Sequence, residues 1–245
     1  MVDFNNAAGR LYDLLKRLRS RGKTESIQHA WAGIFHIDKE DLDQIIILNA
    51  ETVKLMEGTK NLILKQKVNH DLYLKPFAKI QRVFALSLGH QVQNASELLD
   101  EATMVGLEHC AELLSRTARE NQIEESVLLE FLNEISRLEN STLESTISDE
   151  LKALILDNLL EIKRAIHHYQ IHGAKGIEKA VKNTFGSVQY FTINNPIINT
   201  NNEADKKVIF DYTELIANII TIVSAGLNTP MLGEKIASFL IGSGK

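Results

Sequence analysis

Apolar residues recur through this chain at intervals of three and four, the spacing of helices that each bury one face. Leu11, Leu14, Leu15 and Leu18 fall at i, i+3, i+4 and i+7, and Ile27, Ala30, Trp31 and Ile34 make a shorter stripe. Asp38 is placed to cap a long third helix carrying Leu42, Ile45, Ile46, Asn49, Val53 and Met56, with Gly58 near its end. Pro76 suits the first turn of a fourth, with Phe77, Ile80, Val83, Phe84, Ser87 and Gln91 on one side. Leu98, Leu99, Ala102, Val105, Cys110, Leu113 and Leu114 predict a fifth, in which Gly106 is a weak point.

The same period continues downstream. Asn121 followed by Glu124 resembles a capping box, and Ile123, Val127, Phe131, Ile135 and Leu138 follow at helical spacing. Ser148 is placed to cap a helix bearing Leu151, Ile155, Leu159, Ile162, Ile166 and Tyr169, which Gly173 closes. A shorter helix over 175–185 is expected to end at Gly186. Residues 188–193 then alternate loosely, as a lone strand would, and Asn194, Asn195 and Pro196 are turn chemistry. The Asn-rich stretch 199–202 is the best linker in the chain.

The expected fold is therefore all-α, a multi-helix bundle or irregular helical array. It divides into a helical body over 1–190, a linker over 191–206 with room for one short strand, and a C-terminal apolar helical hairpin over 207–245. Proline agrees, because only Pro76 precedes residue 195 and proline interrupts helix interiors.

Composition narrows the class. Over 245 residues, 44% hydrophobic and 24% charged is the balance of a globular chain and excludes a disordered one. Thirteen Gly, three Pro and one Cys exclude collagen-like and disulfide-stapled scaffolds. The lone Cys110 sits in helical context and is expected to be a buried thiol in a reducing compartment. The first residues carry neither a basic stretch nor an apolar one, so a cytoplasmic location is expected, and the abundance of Ile, Asn and Lys suggests a bacterial source. Residues 215–233 carry no charge, but Asn218, Thr221, Ser224, Gly226 and Pro230 dilute and break the run. That favours a core helix over a membrane span.

Charge is segregated along the chain. Residues 1–37 carry net +3, 38–59 net -4, 60–96 net +5, 97–162 net -12 and 163–182 net +4. Such blocks are either solvated faces or complementary contact surfaces, within one chain or between copies. The densest cationic group is Lys16, Arg17, Arg19, Arg21 and Lys23, a candidate anion or acidic-partner site. A helix-turn-helix squeezed into 24–41 would need Asp38, Glu40, Asp41 and Asp43 in its reading helix, which repels phosphate, so nucleic acid is not an expected partner.

Candidate chemistry is sparse. His168 and His172 are four apart and share a helix face, but a catalytic zinc needs a third ligand and no Glu accompanies them, so no metal is expected. Gly242-Ser243-Gly244-Lys245 mimics a phosphate loop without the strand before it or the helix after it. No Gly-x-Ser-x-Gly or His-Glu-x-x-His motif occurs, and no cofactor is expected.

The expected function is a non-enzymatic bacterial adaptor or regulator that binds protein partners through helical faces and self-associates. The alternative is a toxin-like or defence effector whose hairpin inserts into membrane on oligomerisation, with membrane contact only through 207–241. Ile216, Ile219, Ile220, Val223 and Phe239 are its candidate interface or membrane residues. An enzyme with an unfamiliar helical site is the third possibility, and His168 and His172 are its only visible handle.

Overall fold

The computed structural model describes residues 5–194 and 203–223. The chain is all-α over these residues, and it divides after Glu120 into two compact units. This boundary is not the one expected at the Asn-rich stretch: α11, which follows that stretch, packs on helices of the second unit.

The first unit holds α1 (Ala7–Arg19), α2 (Ile27–Phe35), α3 (Leu42–Leu64), α4 (His70–Leu74), α5 (Phe77–Phe84), α6 (Val92–Leu98) and α7 (Glu101–Thr117). Helix α1 is its hub and packs on α2, α3, α6 and α7. Leu11, Leu14, Leu15 and Leu18 are all fully buried, each contributing about 1.5–3 kcal/mol over an exposed leucine. Asn6 caps α1 by accepting from the Gly9 amide at 3.0 Å, and its Nδ2 donates to the Ala111 carbonyl at 3.1 Å. One side chain thus starts α1 and ties it to α7.

Backbone hydrogen bonds join the start of α2 to the start of α6 through the loops before them, as an isolated bridge rather than a strand. The amides of Val92 and Gln93 donate to the Glu25 and Lys23 carbonyls at 2.8 and 3.1 Å. In return the Ile27 and Gln28 amides donate to His90 and Leu88 at 2.8 and 3.0 Å. Buried Trp31 stacks on Phe35 and on Phe84, with ring centroids 5.4 and 6.3 Å away, joining α2 to α5. His36 then ends α2 in the left-handed region at φ 57°.

Helix ends differ in detail from the sequence expectation. Asp41, not Asp38, caps α3 through the Gln44 amide at 3.1 Å, while Asp38 accepts from Glu40. The helix runs through Gly58 to Leu64, because buried Met56, Thr59 and Ile63 outweigh the roughly 1 kcal/mol that a helical glycine costs against alanine. The expected fourth helix ends at Phe84, and residues 92–98 form a separate one.

The second unit holds α8 (Glu125–Glu144), α9 (Asp149–His167), α10 (Tyr169–Asn194) and α11 (Glu203–Val223). Helix α9 packs on α8 and α10, and α11 packs on both of those. Ser148 caps α9 as expected, accepting from the Leu151 amide at 3.3 Å. Gly173 breaks the path of α10 with φ 61° and ψ -161°, a conformation that favours glycine.

The strand expected at 188–193 is helix instead. Val181, Thr184 and Val188 are all buried and lie at i, i+3 and i+7, so helical periodicity toward the core overrides β propensity. Gly186 consequently lies inside α10.

Buried polar groups fix α11 in this unit. Asn158 Nδ2 donates to the Tyr212 hydroxyl at 2.9 Å, and Ser187 Oγ donates to Asn158 Oδ1 at 2.8 Å, linking α9, α10 and α11. Buried Asp205 accepts from the Thr146 amide and hydroxyl at 2.9 and 2.7 Å. Asn121 Nδ2 donates to the Val223 carbonyl at 3.1 Å. No helix among the described residues is long and apolar enough to cross a membrane. The second arm of the expected hairpin, 231–241, lies outside the described residues.

Candidate functional site

A groove of about 360 Å³ opens in the first unit between α4, the start of α5 and one face of α7. Its shape begins with Gly106. A Cβ there would lie 3.2 Å from Cγ of Pro76, so a bare helix backbone meets the proline ring that opens α5. The Cys110 thiol, one turn further on, donates to the Tyr73 carbonyl at 3.2 Å and fastens α4 to α7. Around this seam stand exposed Leu72 and Val105 as apolar walls, with Lys75, Lys79 and His109 as the polar rim.

Lys79 is ion-paired with Asp100. Asp100 also caps α7, its Oδ1 accepting from the Thr103 amide at 2.9 Å and the Thr103 hydroxyl at 2.6 Å. The hydrogen bond from Lys79, then those from Thr103, hold the Asp100 carboxyl far below the ordinary carboxylate range. Burial pushes the Cys110 thiol up to about 12, so at neutral pH it is a protonated packing group. The groove therefore offers shape, apolar contact and, at exposed Lys75, a cation, while Lys79 is held by Asp100.

The sequence-derived candidates lie elsewhere. Arg17, Arg19 and Arg21 pair with Asp13, Glu101 and Glu25 at 2.6, 3.3 and 2.7 Å. The Arg21 guanidinium also lies against Gly33 of α2, and the Glu25 carboxylate raises its pKa further. Lys16 stands 5.7 Å over the Tyr12 ring, and Lys23 is exposed. Three of the five cations are thus engaged with carboxylates of their own chain.

His168 and His172 stand with ring centroids 6.2 Å apart. Among the described residues, no group of three His, Cys, Asp or Glu side chains could hold a metal ion. Ile216, Ile219, Ile220 and Val223 are buried in the core of the second unit, among Ile155, Leu159 and Ile177. Their apolar spacing is explained by that burial. Phe239 lies outside the described residues.

The groove itself was not foreseen. Lys75 and Lys79 within the +5 stretch 60–96 do not by themselves mark it, because the Pro76–Gly106 contact that shapes it depends on how α5 meets α7. A second, polar hollow of about 230 Å³ lies in the second unit between α8 and α11, lined by Glu134, Arg137, Asp211 and Glu214. No family model, no curated protein and no solved structure matches this chain.

Proposed function

We propose that this chain is a non-enzymatic helical interaction protein, an adaptor or regulator of the bacterial cytoplasm that binds protein partners and self-associates. The single observation behind the reading is the groove on α4, α5 and α7, with Leu72 and Val105 exposed on its walls and Lys75, Lys79 and His109 on its rim. Exposed apolar side chains beside positive charge suit the face of an amphipathic helix with acidic flanks. The nearest nucleophile, Cys110, is protonated and turned into the packing.

The test is fluorescence anisotropy with the full-length protein and a labelled helical peptide bearing leucines at i and i+4 and glutamates on both flanks. Saturable binding, weakened about tenfold or more by Lys75→Glu and by Val105→Glu and weakened by salt, supports the reading. Absence of saturable binding, or binding that both substitutions leave unchanged, sinks it.

A further inference from the structure

Resting on that reading, we infer that the groove's occupant is a second copy of this chain, which docks through the first turns of α3. Leu42, Ile46 and Ile47 are 46%, 54% and 49% exposed, although they begin a long, well-packed helix. Leu42, Ile46 and exposed Ala50 fall at i, i+4 and i+8, so they form one stripe, with Ile47 beside it. Around the stripe stand exposed Asp38, Glu40, Asp41 and Asp43, against a single cation, Lys39. An apolar stripe with carboxylate flanks is the chemistry that the groove, with Leu72, Val105 and exposed Lys75, is built to receive, Lys79 on its rim being held by Asp100.

The two surfaces cannot satisfy each other within one molecule. Helix α3 is anchored by buried Ile45, Leu48, Met56 and Ile63, so its exposed stripe cannot swing into a groove on the same packed unit. The stripe lies on its first turns, whereas α4, the groove's wall, follows its last turn after a rise of about 33 Å at 1.5 Å per residue. Two different surfaces that fit each other between copies make a head-to-tail contact, which closes into a ring or continues as a filament. The stripe falls in the stretch 38–59, net -4, and Lys75 of the groove in 60–96, net +5, while the α7 wall belongs to the acidic stretch 97–162.

The test uses two full-length variants with changes at exposed positions, Ile46→Asp to disable the stripe and Val105→Glu to disable the groove. Sedimentation velocity at low salt should show wild type assembling beyond a dimer. Each variant alone should assemble at least about thirtyfold more weakly. Mixed in equal amounts, the two should form a one-to-one pair and stop there, because each supplies the surface the other lacks. The two disabled surfaces each carry an introduced carboxylate, so they repel one another and cannot mimic the rescue. A mixture that stays monomeric, or a single variant that assembles like wild type, overturns the inference. Wild type that stays monomeric yet binds the acidic probe peptide overturns self-docking and leaves the groove reading intact. Wild type that does neither overturns both.

Discussion

Gly106 and Pro76 touch across the seam of the groove, with the glycine's missing Cβ position 3.2 Å from the proline Cγ. Gly106→Ala gains about 1 kcal/mol of helix propensity and asks the ring to yield by a few tenths of an ångström, so its net effect should stay within about 1 kcal/mol. Gly106→Leu overpacks the same point and should cost about 1–3 kcal/mol while weakening capture of the acidic peptide. Urea unfolding of both variants checks this, and a leucine that leaves stability and peptide binding untouched would contradict the contact.

Tyr212→Phe keeps the ring packed but removes the acceptor of the Asn158 amide in a buried site. It should destabilise the second unit by about 1–3 kcal/mol, the cost of an unsatisfied buried donor. The additional change Asn158→Leu should recover part of that loss, since the unsatisfied amide is then gone and Ser187 Oγ keeps the Thr184 carbonyl at 2.9 Å as its acceptor. A double-mutant cycle by thermal or chemical unfolding measures the coupling, and additive losses would refute it.

Alkaline pH should weaken the fold through two groups. Burial raises the Cys110 thiol from 9.0 to about 12, and burial also raises the Tyr212 hydroxyl. The folded chain therefore keeps protons that the unfolded chain has released. The thiol's contribution is fully present below about pH 9 and is lost between there and pH 12, at up to about 1.4 kcal/mol per pH unit. Tyr212 adds to the fall above about pH 10. Cys110→Ala combined with Tyr212→Phe should flatten the slope of stability between about pH 8 and 11, and an unchanged slope would refute both assignments.

Placement of α11 is checked by two isoleucines on one helix. Ile216 is fully buried and Ile222 is exposed. Ile216→Ala should cost about 2–5 kcal/mol, and Ile222→Ala should stay within about 0.5 kcal/mol. Equal effects would mean that α11 does not sit on α8 and α10 as described.

The helical class and the core faces of α1 and α9 were legible in the sequence because their stripes are narrow and fully buried. Ser148 was legible because cap chemistry is local, whereas Gly173, expected to close that helix, instead kinks α10 after α9 has already ended at His167. The end of the first unit was not. Glu120 is buried, its amide donates to the Asn5 carbonyl at 2.6 Å, and its carboxylate pairs with Arg10 at 2.7 Å. Those partners lie more than a hundred residues away, and no glycine or proline marks the boundary. Ile46 and Val105 read as stripe members like any other. Which edge of an apolar stripe remains uncovered depends on neighbouring helices, so both surfaces of the proposed contact were invisible until α3, α4 and α7 were placed.

The most direct measurement is methyl NMR of the full-length protein titrated with the acidic amphipathic peptide. Our account predicts saturable shifts at the methyl groups of Leu72 and Val105, lost in Lys75→Glu. Saturable shifts at Leu129, Leu143 or Ile222 of the second unit, with Leu72 and Val105 unmoved, would contradict it.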